Sequence, residues 1–339
     1  MSNVLIGVGG SGQHIIHAYL RVLALGNAGA VEVPHVYIID ADAQSQQIAN
    51  RRSQLVPDIQ SLHEYLRHRG IDNKTREANF DIIRPYSQSL SSSSELTVKN
   101  VLLAQKSKTT EEIQAFFYEK DLNNKVSEGM HANPKVGSTI FGEKLGRVLD
   151  GSGKVNTANK ALLQQEFLSL FDDDVTGINT AGCNIVIVGS VFGGTGSGII
   201  PTLARTFNEI INSSGSGSTV NLATVATLPW FQLKPGEDGS TGSAFDTGKL
   251  KRNTAFALRN FQHELQSNSN NAVSSIFIQS GSMWQGIQRP SAGDFDQPEH
   301  THVVNLLAAN AVQHSFARHF APNELYMPMT QLSHEIRQG

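Results

Sequence analysis

Two glycine-rich turns hold the residues best suited to grip a phosphate. One is Gly7-Val8-Gly9-Gly10-Ser11-Gly12-Gln13, which follows the apolar run Val4-Leu5-Ile6. The other is Phe192-Gly193-Gly194-Thr195-Gly196-Ser197-Gly198, which follows Ile185-Val186-Ile187-Val188. Each precedes a helical pattern, from Ile15 to about Leu25 and from Ile199 through Ala204. Glycine lets the backbone approach an anion closely, and the first amides of a helix lack partners within the helix. A Gly-rich turn from strand to helix therefore aims N–H groups and the positive end of the helix at one point. Thr195 and Ser197 add hydroxyl donors suited to a terminal phosphate, and Gln13 stands within reach of a phosphate or base. Two such turns point to a nucleotide held between two phosphate loops.

Taken alone, Gly7, Gly9 and Gly12 also satisfy the G-x-G-x-x-G turn of a dinucleotide fold. Asp40 and Asp42, at the end of the next strand, would then receive a ribose hydroxyl. That keeps an NAD-dependent oxidoreductase open as an alternative, although the spacing from Gly7 to these acids is long and no acid/base pair for a substrate stands out. A helix-capping role for the two acids is the plainer reading. A dinucleotide site does not require the second loop. Neither loop ends in Gly-Lys-Ser/Thr, which excludes a conventional P-loop, and Gly151-Ser152-Gly153-Lys154 lacks both that pattern and a preceding strand.

The elements that must position these loops read as an α/β fold. A strand at 4–8, a helix over roughly 12–27 and a strand at 33–39 form a βαβ unit, and continuous apolar strands alternating with helices predict a mostly parallel sheet covered on both faces. The expected architecture is a Rossmann-like three-layer sandwich. Residues from about 45 to 180 read as a long helical elaboration, with helices predicted at 98–106, 109–119, 140–149 and 157–169. The βα rhythm then returns. It gives a helix at 199–211, a strand at 220–226 running to Leu228-Pro229-Trp230, a helix at 246–266, a strand at 273–278 and a long helix from about His300 to Phe320. Residues Ala321 to Gly339 have room for one short helix.

Composition narrows the partners. The 339 residues can bury a large core, and 39% hydrophobic content, 17% charged content and a formal charge of -3 do not indicate direct nucleic-acid or membrane binding. The lone Cys183 excludes an intrachain disulfide and a multi-cysteine metal site, and it reads as an inert, half-buried thiol just before a strand. Met1-Ser2-Asn3 leads into a strand without a basic region, and no apolar run reaches membrane-spanning length, so a cytoplasmic protein is expected. His300/His302 would not share a helical face and His314/His319 are poorly spaced for a helical metal site; for these and for His14/His17, three apart on the first helix, packing or surface roles are predicted with no metal site.

The ordered motifs resemble the tubulin and FtsZ superfamily of GTP-binding proteins. Gly7 to Gln13 looks like its first loop, and Asp42-Ala43-Gln44 is similar to the Asp-Ala-Gln after the second strand of FtsZ. Phe192 to Gly198 departs from the signature loop only at Phe192. Pro229-Trp230 with Lys251-Arg252-Asn253 resembles the segment approaching the ribose, and Leu306-Leu307-Ala308-Ala309-Asn310 resembles part of the central helix that contacts the base. Gly137 to Arg147 stands where a third phosphate loop would be, and Gln279-Ser280-Gly281 where a base- or ribose-contacting Asn would be. The long stretch between Gln44 and Phe192 is similar to the divergent bacterial tubulin-like proteins.

This resemblance implies GTP or GDP with Mg2+. Gly9, Gly10, Ser11, Gly12, Gln13 and Gly193, Gly194, Thr195, Gly196, Ser197, Gly198 would cradle phosphates. Asp42 or Gln44 would act through the metal or a water, and Pro229, Arg252, Asn253 and Asn310 would address ribose or base. It also implies head-to-tail association into dimers or filaments, with an adaptor or a DNA-bound protein as a further partner, and GTP hydrolysis at the subunit interface. In the family an acid after the central helix serves the neighbouring subunit's nucleotide. Here Glu324 is the nearest acid and the usual Asn-x-Asp pattern is absent, so a non-hydrolysing regulatory or scaffold module is the alternative. The expected organisation is a nucleotide-binding domain over 1–320 and, over 321–339, the start of an inter-domain loop and next helix, the family's second domain being absent.

Overall fold

Side chains at 35–39 and 183–190 are buried at every position, as strands covered on both faces must be. The computed structural model of the chain describes residues 2–24, 34–40, 80–83, 96–104, 112, 115–126, 130, 133–148, 183–214, 220–233, 247–267, 273–278, 284–287, 303–317 and 325–326, with positions 61, 64 and 68. The strands are β1 (Ser2–Val8), β2 (His35–Ile39), β3 (Phe80–Ile83), β4 (Cys183–Ser190), β5 (Val220–Thr227), β6 (Phe231–Leu233), β7 (Val273–Ile278), β8 (Trp284–Ile287) and β9 (Leu325–Tyr326). Seven of them form one sheet in the order β3-β2-β1-β4-β5-β7-β9, and β6 and β8 pair separately. Every pairing between these strands is parallel.

Alternation along the strands divides the core. Leu5, Val36, Ile38, Val186, Val188, Val225 and Ile276 face helices α1 (Gly9–Ala24) and α7 (Val303–Ala317). Val4, Ile6, Val8, Ile185, Ile187, Leu222 and Phe277 face the opposite layer of α4 (Pro134–Val148), α5 (Gly194–Ser214) and α6 (Thr247–Ser267). A satellite core joins α2 (Val98–Ala104) and α3 (Glu119–Leu122) to α4 through Val101, Phe117, Leu122, Val136 and Ile140. The three-layer α/β architecture expected from the sequence is present.

Several boundaries differ from the sequence reading, each for a physical reason. Both loop-following helices begin earlier, at Gly9 and Gly194, because tertiary packing against strand ends outweighs the poor helix propensity of glycine. Cys183 lies inside β4 and is fully buried rather than half-buried before it. The helix predicted at 109–119 is interrupted at Phe117 and Tyr118 before α3. Strands β3, β6, β8 and β9 were not predicted. The helix predicted at 157–169 and the loop at 279–281 lie outside the described residues, as do His300, His302 and His319.

Two buried polar features stand out in the sheet and its cover. Asn3, Asn184 and Asn221 occupy matched positions on β1, β4 and β5. Asn184 donates to Asn3 Oδ1 at 2.8 Å and accepts from Asn221 Nδ2 at 2.7 Å, a side-chain ladder across three strands. On α1, Tyr19 is fully buried against Phe316 of α7, ring centroids 5.9 Å apart, and burial pushes its phenol pKa up. Its hydroxyl has no hydrogen-bond partner among the described residues. Removing that hydroxyl should therefore be harmless or stabilising, by up to about 1 kcal/mol. Tyr19→Phe is expected to hold or raise the urea midpoint, read by tryptophan fluorescence.

Candidate functional site

The sheet order reverses between β1 and β4, so the connections leaving their carboxyl ends part to opposite faces and open a crevice at that edge. Both Gly loops leave from those ends, where Val8 is paired with Gly189. They touch: a Cβ added to Gly9, whose φ is +68°, would lie 3.2 Å from Thr195 Cβ. The left-handed φ and the close approach both require glycine there. A Cβ on Gly12 would stand 2.8 Å from the Gly7 carbonyl carbon and from Val188 O, so α1 starts directly against the strand ends.

The second loop is held by its neighbours. Gly196 lies against the Ser190 carbonyl, and Asn253 of α6 donates to the Phe192 carbonyl at 3.0 Å. A third helix joins the same edge. A Cβ on Gly198 would overlap the Pro134 carbonyl and approach Ser138 N to 2.8 Å, while one on Gly137 would lie 3.1 Å from Gly194 O. The first turn of α4 is thus packed on the first turn of α5. Asn133 caps it, its Oδ1 accepting from Lys135 N at 3.2 Å and Val136 N at 3.4 Å.

The helix starts at this edge carry little acid of their own. Acidic residues commonly stabilise a helix start, yet α1, α4, α5 and α6 carry none in the first turn. Lys135 stands in the first turn of α4, and Lys249, Lys251 and Arg252 in the first two turns of α6. Three neighbouring helix starts with no acid in their own first turns leave backbone amides free to receive an anion, with the Asp40 carboxylate as the one acid brought against them, through Gln13, among the described residues.

The structure sorts the expected site residues. Gly9 and Gly12 are buried at the loop contact, Gly10, Ser11, Gly193 and Thr195 are half-buried, and Gly194, Gly196 and Gly198 are buried in packing. Two of these side chains have partners within the chain. The Ser197 hydroxyl is fully buried and donates to the Gly193 carbonyl one turn back, so it is a helix-internal bond and not a donor facing the crevice. Gln13, 2% exposed, donates to Asp40 Oδ2 at 2.7 Å, tying the start of α1 to the end of β2. The Asp40 carboxylate, which the sequence offers to a ribose hydroxyl or a helix cap, accepts this bond.

Asn253, 5% exposed, supports the second loop through Phe192, while Arg252 and Asn310 are exposed and Pro229 is half-buried. Gly137 to Arg147, read as a third phosphate loop, is the body of α4, which offers its helix start instead. Asp42, Gln44 and Glu324 lie outside the described residues. The sequence reading missed Asn133-Pro134-Lys135, although an Asn cap followed by Pro at the first helical position was the signal to find it. Among the described residues no group of His, Cys, Asp and Glu could hold a metal ion, and no helix is long and apolar enough to cross a membrane.

Residues 4–306 match a family model described as tubulin like, a span that contains both Gly loops, the reversal point and the start of α7. The chain belongs to the tubulin-like family. Among solved structures, this tubulin-like chain is similar to CetZ2 from Haloferax volcanii, described as a GTPγS-bound protofilament, at 14% identity over 100% of this chain and 64% of that one, with a TM-score of 0.40. It is also similar to CetZ1 from Haloferax volcanii, described as a GDP-bound monomer, at 15% identity over 91% of this chain and 58% of that one, TM-score 0.40. The tubulin-like chain therefore spans less than two thirds of either protein's length. No curated protein matches it.

Proposed function

We propose that the chain binds GTP between its two Gly loops and self-associates head to tail, with hydrolysis at the subunit interface. The observation that carries the reading is the contact of Gly9 with Thr195 at the reversal point, where three helix starts lacking carboxylates converge. Phosphates would be held by the amides of residues 9–12 and 193–196 and by the Thr195 hydroxyl. Arg252, Pro229 and Asn310 would face the nucleoside, and Asn253 would hold the second loop in place. Family membership supports guanine over adenine.

Mg2+ on the phosphates would neutralise negative charge, with Asp42 or Gln44 as its protein side. Glu324 is the acid we assign to the neighbouring subunit's nucleotide. We place the activity in the cytoplasm and the chain in the divergent bacterial branch, on the long stretch between Gln44 and Phe192.

Phosphate release measured against protein concentration, with and without Mg2+, tests this reading. The rate per subunit is expected to climb as sedimentation reports association, and Glu324→Gln should lower turnover by about 100-fold or more while leaving GTP binding intact. Tight GTP binding with background release in the associated state would instead establish the non-hydrolysing scaffold. Binding of NAD without GTP would overturn the nucleotide assignment.

A further inference from the structure

Helix α6 carries charge of one sign over most of its length. From Thr247 to His263 it holds Lys249, Lys251, Arg252 and Arg259 and no acid, the first being Glu264. Residues three, four and seven positions apart share a helical face, so Lys251, Arg252, Ala255, Arg259, Gln262 and His263 form one stripe, and each of them is exposed. Leu250, Asn253, Thr254, Ala257 and Phe261 lie on the other side and are buried, Asn253 against the second Gly loop and the Phe261 ring edge-on to Phe277 of β7 at 5.4 Å. The basic stripe therefore points away from the core.

The helix packed beside it shows what a neutralised surface looks like. On α5 the exposed Arg205 and Glu209, one turn apart, pair at 3.7 Å. Among the described residues Lys251 and Arg259 have no such partner. The contrast matters because the chain as a whole is acidic, with 27 Lys and Arg against 30 Asp and Glu. The 27 less the four on α6 leaves 23 cations to face those 30 acids, a formal charge of -7 for everything outside this stretch.

We propose that the outer face of α6 is a contact surface for the acidic surface of a second copy of this chain, and that this contact forms without nucleotide. Charge complementarity selects the occupant. A basic stripe on an otherwise acidic molecule attracts the rest of a neighbouring copy, whereas a nucleic acid or an anionic membrane laid along α6 would also meet the net negative charge of everything around it. Ala255, between Lys251 and Arg259 on the stripe, adds no bulk that would hold a partner off. The contact joins unlike surfaces, so it can repeat from copy to copy. It stands apart from the head-to-tail contact assigned to the nucleotide-bound chain.

Sedimentation velocity of the full chain without nucleotide tests the proposal. The parent is expected to associate at about 0.1 M salt and to come apart at about 1 M, as the Debye length falls from about 10 Å to about 3 Å. Arg259→Glu and Lys251→Glu should each weaken this association about fivefold or more, the upper end for an exposed ion pair with repulsion put in its place, while circular dichroism stays at the parent's. Arg205→Glu makes the same change of charge on α5 and is the control, expected to associate within about twofold of the parent. The proposal is overturned if the parent is a single copy at low salt, if either α6 variant associates as the parent does, or if Arg205→Glu is weakened as much as they are. Duplex DNA bound by a monomeric parent at low salt and lost by Arg259→Glu would overturn it in favour of a nucleic acid. No nucleotide is present, so these outcomes are separate from whether GTP binds between the Gly loops.

Discussion

Alanine in place of Gly198 is expected to abolish nucleotide binding and to destabilise the chain by about 3 kcal/mol, at the upper end of what overpacking costs. The added methyl has nowhere to go: it would overlap the Pro134 carbonyl and meet Ser138 N at 2.8 Å, and both are backbone atoms of the capped α4 turn. Relief requires α4 and α5 to separate at their first turns, which splits the group of helix starts that makes the edge attractive to an anion. Gly142 in the same helix α4 is the control. A Cβ there meets no neighbour within 4 Å, and Gly142→Ala should add up to about 1 kcal/mol of helix stability. Isothermal titration with GTPγS, alongside urea unfolding of both variants, separates the cases. Wild-type affinity in Gly198→Ala would show that the packing of α4 on α5 does not shape the site.

Cutting the asparagine ladder at its centre should be nearly as costly, but with a different signature. Asn184→Ala removes two side-chain hydrogen bonds at once from a position 7% exposed, and the loss is expected at about 2–4 kcal/mol. A double-mutant cycle with Asn3→Ala should return a coupling of about 1 kcal/mol, because the two residues share one of those bonds. Nucleotide affinity of the folded fraction should stay at the parent value, since Asn184 pairs with Asn3 near the start of β1 while the Gly loops leave from the other end. Equal urea midpoints for Asn184→Ala and the parent would mean that the ladder adds nothing to stability.

The sequence announces β1, β2 and β4 through apolar runs, and β5 and β7 through segments rich in β-branched and apolar residues that recur in the βα rhythm. It is silent on β3, where Asp81 interrupts Phe80-Asp81-Ile82-Ile83 and pairing with β2 alone makes the strand. It is equally silent on Leu325–Tyr326, two residues joined to the edge at β7. The Gly loops were legible as motifs, but the true starts of α1 and α5 were not. Gly9, Gly194 and Gly196 argue for a loop locally, and only strand ends and a neighbouring helix make them helical. Gln13 with Asp40, and Asn253 with Phe192, join residues 27 and 61 positions apart. No local pattern announces such pairs, which tie the start of α1 to the end of β2 and α6 to the second Gly loop.

The acid-free helix starts carry one last consequence. An acid in the first turn commonly steadies a helix start, and here α1, α4 and α5 carry none in theirs. A bound polyanion would supply from outside the counter-charge that these first turns lack. Folding and loading are therefore linked by mass action, so such a cargo serves as a removable part of the fold and its departure as a loss of cohesion.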